Sequence, residues 1–306
     1  AGVAAAELLP GGRWRQAVAS VTLAAATDGN WGAALAWAAS LFGARCAIVL
    51  PSAASAGRVA AIEAHGGAVH RVDATFDECV RVCAARSADE GWVLVQDTTA
   101  PGYEELPRTI WSGYAVVGRE IVAQAPEPPT HVFVNCGVGG FAAAVCGHLW
   151  GALGRERPRF ITAEPTAAAC VFASGQAGRA ASVPGSLETI QAGLACGEVS
   201  GVAWEAVLER GVSDFLTVPD EAVGPCMRLL AAQPTPIVAG ESAVAGLAAV
   251  VAAARQPAVR AKLGLGPESR VVVVVCEGDS DPDSYREILA TTDQDRTQPA
   301  GLSSRL

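Results

Sequence analysis

Apolar residues along this chain fall into two alternating kinds of run. Short stretches rich in β-branched residues, "CAIVLP" (46–51), "AVHRVD" (68–73), "WVLVQD" (92–97), "HVFVNC" (131–136), "RFITAE" (159–164), "DFLTVP" (214–219) and "VVVVVC" (271–276), are mostly separated by Ala-rich segments of helical length. A further apolar run, "VTLAAA", leads into the polar corner Asp28-Gly29-Asn30 and a helix-like stretch. The strand-like runs are continuous rather than alternating, which predicts strands buried on both faces and hence parallel sheets covered by helices. The class is α/β with right-handed crossovers. The sequence shows no internal repeat.

In such sheets ligands collect at the carboxyl ends of the strands, where loops meet helix N-termini. The chain places polar or glycine-rich residues at several such ends: Asp28 to Asn30, Asp97 and Thr98, Gly137 to Gly140, Glu164, and Cys276 to Asp279. Each has a structural explanation as well as a functional one. An Asp or Asn ahead of a helix accepts hydrogen bonds from the first free backbone N–H groups, so "TDGN" reads by itself as a cap. Asp97 reads by itself as a turn former at a strand end. "NCGVGGFAAAV" joins a strand end, three glycines and an Ala-rich helix; converging N–H groups and the helix dipole there suit a phosphate, and a tight βα turn alone would also call for glycine. The motif is not GxGxxG and no Walker lysine follows, which favours a single phosphate over a dinucleotide or a nucleoside triphosphate.

Composition narrows the partners. With 306 residues the chain can form one or two lobes, and its net charge of −9 speaks against a nucleic-acid surface. No uninterrupted apolar run of about 18 residues is present, so no membrane span is expected. Small molecules are the expected ligands. Nine cysteines lie scattered without CxxC or Cys/His ligand spacing, and the four histidines share no such spacing either. This predicts neither a disulfide framework nor a metal site, and reads as buried thiols of a reducing cytoplasm. "AGVAAAELLPGGRWR" carries its basic residues after the apolar run, the wrong order for a secretory signal, and is expected to be a helix fragment. The segment after Leu289 is polar, carries Pro and Gly, and is expected to be disordered. The first residue is not Met, which suggests a start upstream.

The corners taken together resemble a known family. "TDGN", "CGVGG" and "CEGDSD" are similar to the pyridoxal-phosphate enzymes of the tryptophan synthase β, or fold type II, class. More closely, "ATDGNWG", "VLVQDTTAPGY", "TIQAGLACGE", "VAGESAVAGL" and "CEGDSDPDSYREI" resemble diaminopropionate ammonia-lyase, in order from Ala25 to Ile288. The resemblance implies a two-lobed, three-layer parallel-sheet protein: residues 1–27 join the large cofactor domain, 28–111 form the small domain, 112–291 complete the large domain, and 292–306 are a tail. It implies pyridoxal 5'-phosphate as cofactor, an amino acid as substrate, a homodimer, and elimination of ammonia from 2,3-diaminopropionate to give pyruvate.

It also implies roles. Gly137, Val138, Gly139 and Gly140 cradle the phosphate, Asn30 touches the ring hydroxyl, and Cys276 faces the pyridine nitrogen as a neutral partner. Asp28 and Asp97 are the two bases, the first for the D isomer and the second for the L isomer. Two departures accompany these matches. Trp31 stands where the family usually has His, and indole cannot accept a proton. The family's Schiff-base lysine precedes the asparagine loop, in a stretch ending Lys-x-Leu-Gly, and the sequence begins where that lysine should have ended. Lys262 is the sole lysine of the 306 residues and is expected on the surface, in a polar loop before the last strand. A serine or threonine dehydratase is the related alternative, and an inactive ligand-binding remnant the alternative from another class.

Overall fold

The computed structural model describes residues 7, 9–27 and 29–291. Asp28, the tail from 292 and residues 1–6 and 8 of the segment read as an N-terminal helix fragment lie outside the described residues. The chain forms two compact units: one extends through Gln96 and includes residues 280–282, and the other takes 97–279 and the residues from 283 onward.

The first unit holds β1 (Thr22–Ala26), β2 (Arg45–Pro51), β3 (Ala68–Val72) and β4 (Val93–Leu94), all parallel, in the order β3-β2-β1-β4. Helices α1 (Asn30–Phe42), α2 (Ala56–Glu63) and α3 (Phe76–Glu90) make the crossovers. The alternation of side chains along a strand explains the two-sided core. Ala25, Ile48 and Leu50 face Leu35, Ala36 and Ala39 of α1 and Ile62 of α2, whereas Ala24, Ala26, Ala47 and Val49 face Cys79 and Cys83 of α3. Each fully buried Leu or Ile contributes about 1.5–3 kcal/mol. β1, which the sequence reading joins to the larger lobe, pairs here with β2 and β4.

β4 is far shorter than the expected run 92–97 because a side chain takes over from the backbone. The buried Gln96 amide accepts from Ala26 N–H at 2.8 Å and donates to Ala26 C=O at 3.0 Å. It thus supplies both bonds of a ladder position.

The second unit holds β5 (His131–Asn135), β6 (Arg159–Pro165), β7 (Asp214–Val218) and β8 (Val271–Val273), again all parallel, in the order β7-β6-β5-β8. Its main helices are α4 (Glu105–Gln124), α5 (Gly140–Leu153), α6 (Cys170–Ala177), α7 (Val223–Ala231), α8 (Ala245–Arg255) and α9 (Pro257–Leu263). Phe133, Ile161, Ala163 and Val218 share one core cluster with Met227 of α7, Ala245 and Ala249 of α8 and Leu263 of α9. β8 also ends early, since the Asn135 side chain donates to Val274 C=O at 2.9 Å and closes off the ladder.

Parallel sheets under helices are the α/β architecture expected. Lys262 is exposed as expected but sits in the last turn of α9, not in a loop, because the apolar Val259 and Leu263 bury one side of that helix. No helix among the described residues is long and apolar enough to cross a membrane.

Candidate active site

The corner between β5 and α5 is built to leave amide hydrogens unused. Among the described residues, none of the backbone N–H groups of Gly137, Val138, Gly139 and Gly140 has a protein acceptor. Their orientation is set from behind. The Gly137 carbonyl accepts from the thiols of Cys136 at 3.8 Å and Cys170 at 3.6 Å, and the Val138 carbonyl accepts from Ser200 N–H at 2.8 Å. In a trans peptide the N–H points opposite to the C=O. The N–H groups of Val138 and Gly139 are therefore turned away from these partners.

Glycine is required at two of these positions for different reasons. Gly139 has φ +96°, and a Cβ there would lie 2.7 Å from Leu208 Cδ1. A Cβ on Gly140 would lie 2.5 Å from Trp111 Nε1.

Trp111 also brings Asp97 to this corner. Its indole N–H donates to the Asp97 backbone carbonyl at 2.8 Å, so one side chain of α4 touches both the aspartate and the glycine turn. Tyr114, one turn further along α4, donates from its hydroxyl to Asp97 Oδ2 at 3.0 Å. Burial raises the Tyr114 phenol far above its ordinary value, and the Asp97 charge and hydrogen bond raise it further. Two residues on, Thr99 N–H donates to Ser200 Oγ at 3.1 Å, and the two hydroxyls lie 2.8 Å apart. Buried Ser200 thus ties the Asp97 loop to the glycine turn. Thr99 lies inside the quoted "QDTT", but nothing in the pattern marks Ser200 as its partner.

Cys276 follows β8. Asn135 Nδ2 donates to its sulfur at 3.5 Å and to Ala243 C=O at 3.0 Å, while Asn135 Oδ1 accepts from Gly246 N–H at 2.7 Å. Eight of the nine cysteines are buried free thiols as expected, but Cys276 is exposed, because the chain has left the sheet before reaching it. Glu164, at the end of β6, is fully buried and is a cap: its carboxylate accepts from Val171 N–H at 2.7 Å and Phe172 N–H at 2.6 Å at the start of α6. Burial pushes its carboxyl up to about 8, against the opposing pull of those two bonds.

Asp97, Gly137 to Gly140 and Cys276 all belong to the second unit, and Asn30 to the first. Asn30 is the exposed first residue of α1, whose cap is Gly29 without a side-chain bond. Trp31 donates from its indole to Val95 C=O at 3.0 Å, a structural use of the position where His was expected. Among the described residues no group of three or more His, Cys, Asp or Glu could hold a metal ion.

A family model for pyridoxal-phosphate dependent enzymes matches residues 3–277. The chain belongs to that family. Diaminopropionate ammonia-lyase of Escherichia coli K12 is 35% identical over 278 residues, covering 88% of this chain and 70% of that protein. The bovine L-serine dehydratase/L-threonine deaminase is 28% identical over 251 residues, covering 82% and 73%. The E. coli ammonia-lyase, solved with an aminoacrylate-PLP azomethine reaction intermediate, superposes with a TM-score of 0.82 at 34% identity, over 88% of this chain and 71% of that one. The fold is fold type II, and family membership makes pyridoxal 5'-phosphate the cofactor. The corner fits it: unpartnered N–H groups at the N-terminus of a 14-residue helix are what a phosphate requires.

Proposed function

We propose that this protein eliminates ammonia from 2,3-diaminopropionate. With one water consumed, each substrate molecule yields one pyruvate and two ammonia. The observation that carries the reading is Trp111, which bonds the Asp97 main-chain carbonyl and packs against the glycine turn. Pyridoxal phosphate, when bound, supplies the electron sink that lets the α-proton leave.

The chain's own residues do the rest. The N–H groups of Gly137, Val138, Gly139 and Gly140 hold the phosphate, Asn30 meets the ring hydroxyl, and Cys276 offers the ring nitrogen a neutral thiol. A neutral partner leaves that nitrogen largely unprotonated, which suffices for expelling a β-amino group and disfavours reactions that need a deeper sink. Asp97 takes the α-proton of the L isomer and Asp28 that of the D isomer, because the two isomers present the proton to opposite sides. In this reading the first unit is the small domain and the second the cofactor domain. The protein works as a homodimer in the cytoplasm, in keeping with its buried free thiols.

The likeness to the bovine serine and threonine enzyme favours one rival, elimination of a β-hydroxyl group. Pyruvate release from each 2,3-diaminopropionate isomer and from L-serine separates the two readings. The diamino acid is expected to react faster, and preference for L-serine would overturn the proposal. Asp97→Asn should slow the L isomer by about 10²–10⁴-fold and the D isomer less, with Asp28→Asn doing the reverse. Equal losses on both isomers would remove the two-base assignment.

A further inference from the structure

Asp97 is held at two points by one face of one helix. Trp111 and Tyr114 are three residues apart on α4 and so project from neighbouring positions on the same side. The first donates to the Asp97 backbone carbonyl and the second to its carboxylate. The bond at the main chain fixes where the side chain starts, and the bond at Oδ2 restrains where its carboxylate ends. The phenol is itself fixed, because its ring meets Phe141, the residue after Gly140, edge-on at 5.7 Å with an interplanar angle of 71°. The hydroxyl therefore cannot swing out to water without unpacking α4 from α5.

We propose that Tyr114 is the positioning residue of Asp97, and that its hydroxyl aims the carboxylate at the face from which the L isomer loses its α-proton. The inference rests on the reading of Asp97 as the base for that isomer. Tyr114 is not a base in this scheme. Its phenol is held protonated by burial and by the neighbouring carboxylate, so it remains a donor across the working pH range. A carboxylate held by such a donor needs no reorientation when substrate arrives. Misplacement of a reacting group by about 1 Å can cost 10²-fold in rate. The signature of lost aim is a fall in kcat with KM little changed, since the substrate is bound by other groups.

The test uses the full-length, cofactor-loaded protein with both isomers, and the unloaded protein for a structural readout. Tyr114→Phe should lower kcat for the L isomer by about 10²-fold with KM nearly constant, and lower it less for the D isomer. In unloaded protein carrying ¹³C-labelled tyrosine, Asp97→Asn should shift the Tyr114 Cζ resonance while Tyr103 and Tyr285 stay in place. The chain has three tyrosines, so each resonance can be assigned by substitution. If Asp97→Asn discriminates between isomers and Tyr114→Phe slows both equally, Tyr114 is merely structural and this inference falls alone. An unmoved Tyr114 resonance in Asp97→Asn has the same meaning. If Asp97→Asn itself fails to discriminate, the base assignment falls first and takes this one with it.

Discussion

The two sheets are built to one plan and finished differently. In each, the strands run third, second, first, fourth across the sheet, so the last strand returns to lie beside the first. In each, the first strand leads through a short corner into a helix. In the first unit that corner is partly filled by its own groups: Gly29 N–H donates to the Thr27 side chain at 3.1 Å, and Gly32 N–H closes back onto Gly29 C=O. In the second unit the four N–H groups meet no acceptor among the described residues, and the peptide planes of Val138 and Gly139 are pinned from behind. One topology thus ends in a self-bonded corner in one unit and in an open one in the other. The difference lies in a handful of hydrogen-bond partners, not in the arrangement of strands.

The largest effect is expected where side-chain amides complete the two sheets. Asn135→Leu strands Ala243 C=O, Val274 C=O and Gly246 N–H, and Gln96→Leu strands Ala26 N–H and C=O. Each buried group left unpaired costs about 1–3 kcal/mol. Denaturant melts should show Asn135→Leu as the more damaging of the two, and also loosening Cys276. A smaller loss from Asn135→Leu than from Gln96→Leu would contradict the view that the second unit depends more on its amide.

The two corners separate next. Gly139→Ala meets Leu208 and a positive φ, so overpacking of about 1–3 kcal/mol adds to backbone strain and cofactor affinity should fall. Gly29 has φ −118°, which any residue adopts, and Gly29→Ala should change stability far less. Cofactor titration monitored by absorbance, with thermal melts beside it, checks both. Comparable losses at the two positions would erase the distinction between the corners.

The smallest effect concerns the helices that follow the second strands. Ser55, a neutral group, caps α2 by accepting from Arg58 N–H, whereas α6 is capped by the buried Glu164. The Glu164 carboxyl titrates near 8 in the folded protein, against an ordinary 4.5. The folded state then binds more protons than the unfolded chain between those values. Its contribution to stability is complete below the lower value and is lost as pH rises towards the upper one, at about 1.4 kcal/mol per pH unit. Glu164→Gln should flatten that slope between pH 5 and 8. An undiminished slope in the variant would assign the pH dependence to another group.

Much of this was open to reading along the chain, because continuous apolar runs mark parallel strands whatever their neighbours. All eight runs became strands, and the corners at their ends carry the candidate chemistry. What pattern could not reveal is a side chain acting as backbone. Gln96 looks like one more strand residue until its amide is seen to pair with Ala26. Glu164 looked like a residue lining a ligand site and proved to be a buried cap. Trp31 looked like the loss of a histidine, and in the structure its indole supports the end of β4. The common strand order was equally hidden: parallel topology is set by which runs pair, and the two halves reach it with unrelated residues.

The return of the fourth strand to the first has a consequence for the order in which the second unit forms. His131 pairs with Val271, and Leu23 with Val93. The first separation is roughly twice the second, which adds only about 0.6 kcal/mol of chain-closure entropy. In time the difference weighs more, since distant pairings form late and slowly. β5, β6 and β7 can assemble as the chain emerges, whereas β8 waits for nearly the whole unit to precede it. Pulse-labelled hydrogen exchange during refolding should find the amides of β8 protected after those of β6; simultaneous protection would refute that sequence of events. The glycine turn after β5 is then shaped before Cys276, which follows β8, arrives.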